Sequence, residues 1–85
     1  MREFHFNVRT PTFARLLDGR LTFHICVNNW GYYAEDLVCF HEFHGQRGAT
    51  GRTLWKRVTW VGMGAGLAKG YICLALGACQ DAGEA

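Results

Sequence analysis

The sequence contains no long apolar run, a single proline and no CxxC pair among its four cysteines. No segment approaches the roughly 18 consecutive apolar residues that a membrane-spanning helix needs. The opening MREFHFNVRT also lacks the uninterrupted apolar segment of a signal peptide. We therefore expect a cytoplasmic protein that does not bind a membrane, a compartment in which thiols stay reduced. The cysteines are Cys26, Cys39, Cys73 and Cys79.

A strong charge of either sign is also missing. The formal net charge of +2 is too small to indicate a nucleic-acid binder by itself. The bases are nevertheless concentrated between residues 47 and 57, a stretch without an acidic residue. Two interpretations stay open for this stretch: a solvated strand edge protected by cations, or a binding surface for phosphates or an acidic protein. Its basic residues are Arg47, Arg52, Lys56 and Arg57.

The chain is rich in glycine and in segments of alternating apolar residues, which predict loops and strands. Strands are predicted over residues 3–8, 20–27, 37–43, 52–61 and 70–76, with loops over 28–36, 44–51 and 62–70. A short helix is predicted over residues 11–18, because Thr10 is its N-cap, Pro11 lies in its first turn and Gly19 follows it. Its apolar stripe is Phe13, Leu16 and Leu17.

The resulting β-α-β-β-β-β order predicts a single α+β domain over residues 1–76. Five short strands and one helix suit a small curved β-sheet or β-barrel that the helix plugs, and they exclude a doubly wound sheet. Residues 77–85 are expected to form a frayed tail.

The segment GRLTFHICVNNW, residues 19–30, shows the clearest alternation. Phe23, Ile25 and Val27 alternate with His24 and Cys26, which predicts a half-buried strand with its apolar set in the core. The same pattern predicts that His24 and Cys26 share the other face.

Histidine and cysteine invite a search for metal or catalytic sites, and the spacing argues against both. His41 and His44 lie three residues apart on a predicted strand, so they point to opposite faces. His24 and Cys26 share a face, but no second ligand pair lies at short spacing. No activating element accompanies a Cys26 nucleophile with His24 or His41 as its base. We predict no metal, no cofactor and no catalytic residue.

Aromatic residues cluster on the loop after this strand. Trp30, Tyr32 and Tyr33 lie there, and Trp55 lies on the basic strand. Exposed aromatics beside arginines stack on bases, anchor protein interfaces, or simply fill a core. The sequence leaves these three alternatives open.

The order of these segments resembles the ASCH domain, a PUA-like barrel, and especially its small phage-borne branch of unknown function. That branch reads roughly as strand, helix, GKKTFEIRKNDR, an aromatic followed by GD, a YTGR turn and finally GLxxGYxxLxL. The corresponding segments here are GRLTFHICVNNW at 19–30, YYAED at 32–36, ATGR at 49–52 and GLAKGYICLAL at 66–76.

The resemblance implies a PUA-like β-barrel whose relatives bind RNA or modified nucleosides in a cleft beside the helix. Some small members resemble amidohydrolases that act on acetylated cytidine. The superfamily signature GxKxxExR starts at Gly19, but its lysine, glutamate and arginine positions hold Leu21, His24 and Cys26. Together with Arg20, these residues form a family pocket without its charges. Leucine neither activates a nucleophile nor holds an anion, so the implied chemistry is lost.

We therefore expect a non-catalytic binding module from a phage or mobile element. Its expected partner is RNA or a bacterial nucleoprotein complex, bound through a basic, aromatic-flanked surface. The alternative is a phage-encoded inhibitor, comparable to an anti-CRISPR protein, that binds a bacterial defence complex by protein–protein contacts. A nucleoside amidohydrolase ranks third because of Leu21, His24 and Cys26. The candidate binding residues are Arg47, Arg52, Trp55, Lys56, Arg57, Trp30, Tyr32 and Tyr33.

Overall fold

A computed structural model describes residues 2–64 and 66–79. These residues form the predicted order of one helix and five strands: β1 (Glu3–Arg9), α1 (Thr10–Leu17), β2 (Phe23–Val27), β3 (Leu37–His44), β4 (Gly48–Gly62) and β5 (Tyr71–Ala78). The α+β fold class is confirmed. Within the described ranges, no helix has the length and apolar character needed to cross a membrane.

The five strands form one sheet in the order β1-β3-β4-β5-β2. β1 and β3 are parallel, and the other neighbours are antiparallel. The sheet curls into a half-barrel, so its two end strands approach each other through their inner side chains. Phe6 of β1 and His24 of β2 have ring centroids 4.5 Å apart.

The helix covers the inner face of the half-barrel. Pro11 lies in its first turn, where a missing N–H costs nothing, and Asp18 caps its last turn. Gly19 follows with a φ of 86°, a left-handed conformation that favours glycine. Phe13 and Leu16 are buried as predicted. Leu17 instead remains 50% exposed, because the helix turns it away from the sheet.

The core lies between α1 and the inner face of the sheet. Each large apolar side chain buried there contributes about 1.5–3 kcal/mol relative to an exposed one. The core residues include Val8, Phe13, Leu16, Tyr32, Val38, Phe40, Val58, Ile72 and Leu74.

β4 is longer than predicted and lies in the middle of the sheet. It begins at Gly48, so only residues 45–47 form the turn that follows β3. Gly48 and Gly51 have φ values of 78° and 89°, which lets a glycine-rich segment pair as a strand. β5 pairs with β4 only from Lys56 onward, so Lys56 and Arg57 lie between two strands and the interpretation as a strand edge is wrong for them. Arg52 lies in the part of β4 that pairs with β3 alone, and there the interpretation stays open.

β5 also continues beyond its predicted end. Gly77 pairs with Arg57 and Ala78 pairs with Lys56, so these two residues belong to the strand rather than to a tail. A Cβ atom at Gly77 would lie 2.7 Å from Cγ2 of Thr59, so this close pairing requires glycine. The rest of the predicted tail, residues 80–85, lies outside the described residues.

Candidate functional site

β2 faces the opposite way from the sequence prediction. His24 and Cys26 point inward, where they pair with Leu74 and Ile72 of β5. Phe23, Ile25 and Val27 point outward and are 45%, 45% and 51% exposed. The expectation that this apolar set enters the core is therefore wrong. The pairing with β5 decides the face, because a shift of one residue exchanges the two sides of a strand.

The four positions of the predicted family pocket do not form one polar site. The His24 ring packs between Phe6 and Phe40, at centroid distances of 4.5 Å and 5.2 Å. Burial lowers the pKa of His24, so the ring is neutral at pH 7. Leu21 packs against the core. Arg20 lies apart from them with an 81% exposed side chain, 3.6 Å from the Asp18 carboxylate.

Cys26 is also held in its neutral form. Burial raises the pKa of its thiol, and the neighbouring Tyr32 side chain offsets this only in part. Burial and the neighbouring Cys26 raise the pKa of Tyr32 to about 12. The inner face of β2 therefore presents uncharged groups that pack against the core.

The structure does not bring the four predicted bases together. Lys56 and Arg57 are consecutive strand residues, so they lie on opposite faces of the sheet. Arg52 lies 3.6 Å from the Glu42 carboxylate, and Arg57 lies 3.0 Å from that of Glu35. Among the described bases of this stretch, only Arg47, in the turn after β3, is exposed and has no acidic neighbour.

The predicted aromatic set is divided as well. Tyr32 is buried, with its ring centroid 4.7 Å from that of Phe4. Trp30 and Tyr33 are 65% and 66% exposed. Trp55 on β4 is half-buried and contacts the edge of the His5 ring. Among base stacking, anchoring of an interface and filling of the core, the last describes Tyr32.

The loop that carries Tyr33 is fixed by a buried acid. Asp36 is 5% exposed and accepts hydrogen bonds from Arg2 at 2.7 Å and from the Tyr33 backbone N–H at 2.8 Å. The Arg2 guanidinium lies 4.8 Å from the centre of the Tyr33 ring. The adjacent Glu35 has a φ of 76°, a conformation that favours glycine, and the resemblance places a glycine at this position.

The outward side chains of β2 continue across two neighbouring strands. Ala75 of β5 pairs with both Phe23 of β2 and Trp60 of β4. One row further, Cys73 of β5 pairs with both Ile25 and Gly62. We call this surface the outer apolar face. Its exposed large residues are Phe23, Ile25, Val27, Trp60, Met63 and Tyr71.

A small cavity of about 200 Å³ opens on the outer apolar face. The Trp60 ring lies across Gly62, where any Cβ atom would clash with it. Asn28 donates a hydrogen bond to the sulfur of Met63 at 3.6 Å, which connects the end of β2 to the cavity wall. This volume is below the roughly 300–1,000 Å³ of small-molecule sites, so it suits a single apolar side chain. The lining residues are Trp60, Gly62, Met63, Gly64, Leu67 and Cys73.

Residues 4–76 match the family model described as a domain of unknown function, DUF3850. The chain belongs to the DUF3850 family. No curated protein matches it. The matched residues run from β1 into β5, so the family includes the whole sheet and the helix. The resemblance to the ASCH domain stays a prediction.

One cluster in this DUF3850 chain was missed by the sequence analysis. His5, Cys39 and His41 lie together on the outer face of β1 and β3, and one ligand atom from each lies within 4.8 Å of the others. Nδ1 of His5 and Nε2 of His41 are 2.8 Å apart. Only the parallel pairing of β1 with β3, two strands separated by α1 and β2, brings these residues together.

Proposed function

We propose that this DUF3850 chain is a non-catalytic module that binds a partner protein through its outer apolar face. The observation that carries the proposal is the exposure of six large apolar side chains on one face of β2, β5 and the end of β4. Monomeric proteins rarely expose a contiguous apolar patch of this kind without a binding role. This agrees with the alternative in which the chain is an inhibitor of a bacterial complex.

The free edge of β2 supports a specific mode of binding. β2 is an end strand of the sheet, and its sequence FHICV has no lysine, no proline and no acid. Natural edge strands usually carry such residues because an unprotected edge pairs with other chains. The favoured occupant is therefore an extended apolar segment of the partner that adds a strand beside β2.

The cavity and the charge beside it indicate which side chains the partner segment carries. An apolar side chain of the partner fills the cavity beside Trp60, as buried anchors do at interface hot spots. Lys69, two residues before Tyr71 of the outer apolar face, is an exposed cation. Complementary charge favours a partner whose apolar segment is flanked by acidic residues.

The test begins with partner capture from nuclease-treated bacterial lysate, followed by calorimetry with the purified partner. Ile25→Lys places a charge at the centre of the outer apolar face, and Gln46→Lys adds the same charge in the exposed turn after β3. We expect Gln46→Lys to bind like the wild type and Ile25→Lys to bind at least about tenfold more weakly. Equal affinity of both variants for the partner would overturn the proposal.

Light scattering tests whether a second copy of the chain, rather than a partner protein, covers the outer apolar face. A wild-type mass of two chains that falls to one chain in Ile25→Lys would show that a second copy covers the face. That result would also overturn the proposal. A monomeric mass in all three proteins is expected.

Nucleic-acid binding is a second candidate function, favoured by a groove beside α1. This groove of about 460 Å³ lies between the start of the helix and the turn after β3. Arg9, Phe43 and His44 line it, and the exposed Arg47 follows in the same turn. A cation beside an aromatic ring suits a phosphate and its base. The resemblance to the ASCH domain also implies a cleft beside the helix.

Fluorescence anisotropy with labelled single-stranded RNA tests this candidate. Arg9→Ala with Arg47→Ala should weaken binding and reduce its salt dependence, because each phosphate contact releases counterions. Arg57→Ala is the matched control, since Arg57 is already paired with Glu35. Binding that is absent at low salt, or equal in both variants, would remove this candidate.

An amidohydrolase is the least favoured function. His24 and Cys26 are packed and neutral at the positions where the resemblance implies charged residues. Cys26 stays a protonated thiol at pH 7 and therefore offers no activated nucleophile, and Leu21 stands where the resemblance implies a lysine.

A further inference from the structure

The cluster of His5, Cys39 and His41 has the composition of a transition-metal site. β1 and β3 are parallel, with His5 opposite Cys39, and His41 lies two residues further along β3. All three side chains therefore lie on one face of the sheet. Two imidazoles and a thiol are donors that zinc prefers, whereas magnesium and calcium prefer oxygen ligands.

The distances are close to those that a tetrahedral ion requires. One donor atom from each residue lies within 4.8 Å of the others, and His5 Nδ1 and His41 Nε2 are 2.8 Å apart. Zinc–nitrogen bonds of about 2.0–2.1 Å at a tetrahedral angle separate two nitrogens by about 3.3 Å. The two rings must separate by about 0.5 Å and lie about 3.6 Å from the Cys39 sulfur, movements within the reach of side-chain rotation.

The surroundings of the cluster provide a floor, a wall and an entrance. Cys39 is 2% exposed and forms the floor. Thr53 and the Leu54 backbone lie beside its sulfur, where outer groups around metal-bound thiolates lie. The Trp55 ring stands edge-on to His5 at 5.7 Å between centroids. His5 is exposed, so the entrance is open to solvent.

We propose that His5, Cys39 and His41 bind a Zn²⁺ ion whose fourth coordination position is open to water or to an exogenous ligand. Three protein ligands with an open position distinguish such a site from a closed structural site with four. The two nitrogens and the thiolate sulfur donate their electron pairs to the ion, and the thiol proton leaves to solvent. The site does not depend on the docking function, because its residues lie on β1 and β3, away from β2 and β5.

The experiment uses the untagged chain after treatment with a chelator. Calorimetry with Zn²⁺ should give one ion per chain. Titration with Co²⁺ should give the near-ultraviolet absorption of a cobalt–thiolate bond together with the visible bands of a tetrahedral ion. His5→Ala and His41→Ala should each weaken Zn²⁺ binding roughly tenfold or more, and Cys39→Ser should abolish the thiolate absorption.

Matched controls separate this site from adventitious binding. His44→Ala removes an exposed histidine of the same strand, and Cys73→Ser removes a thiol of β5. Both should bind Zn²⁺ like the wild type. Because Cys39 is buried, Cys39→Ser has a risk of unfolding, whereas the exposed His5 is replaced without this risk. The absence of the thiolate absorption, or unchanged affinity in His5→Ala, would overturn the proposal.

Discussion

The inner and outer faces of the β5–β2 half of the sheet differ in how far their apolar side chains are buried. On the inner face, Ile72 and Leu74 are fully buried and His24 is packed between aromatic rings. On the outer face, residues of the same apolar character, such as Ile25 and Tyr71, are exposed. The comparison teaches that apolar character does not by itself identify the core.

The largest expected effect is on the inner face. Leu74→Ala removes a fully buried side chain and leaves a cavity beside His24, with which Leu74 is paired. We expect a loss of about 2–5 kcal/mol in the free energy of unfolding, measured by urea denaturation. A loss below about 1 kcal/mol would mean that this face does not form the main core.

An intermediate effect is expected from the buried histidine. Burial lowers the pKa of His24 from its ordinary value of 6.5, so the unfolded chain binds a proton that the folded chain resists. The stabilisation is complete above pH 6.5 and is lost as the pH falls from there through the folded-state pKa.

Urea denaturation at pH 7.5 and 5.5 measures this effect. His24→Gln should reduce the difference in unfolding free energy between the two pH values, because its side chain does not titrate. His44→Gln, at an exposed position, is the control and should keep the wild-type difference. An unchanged difference in His24→Gln would contradict the inward orientation of this side chain.

The smallest effect on stability is expected on the outer face. Val27→Thr keeps the shape of a side chain that is 51% exposed. We expect the free energy of unfolding to change by no more than about 0.5 kcal/mol. Partner binding by calorimetry should weaken in the same variant. A strong loss of stability would show that the outer face belongs to the fold, and the contrast between the two faces would disappear.

The sequence predicts the order of elements well, because their signals are local. Pro11 and Gly19 mark the ends of the helix, and alternating residues mark the strands. The orientation of β2 was not predictable from β2 alone. Either face of FHICV alternates cleanly, and only the pairing of His24 with Leu74 selects the inner one.

Some properties of the candidate functional residues follow from local sequence, and others depend on how the strands pair. The separation of Lys56 from Arg57 follows from strand alternation, so this signal was present in the sequence. The meeting of His5 with His41 depends on a parallel pairing across α1 and β2, which no local pattern reveals. A site formed by paired strands that are distant in sequence can be predicted only when the order of strands in the sheet is known.

The contact of the Trp60 ring with Gly62 determines the shape of the cavity on the outer apolar face. The cavity keeps its shape because position 62 has no side chain, so the indole rests directly on the backbone. A single methyl group added there displaces the ring and changes the size of the opening, while the other lining residues keep their identity. The size of this cavity thus depends on the absence of a Cβ atom at position 62.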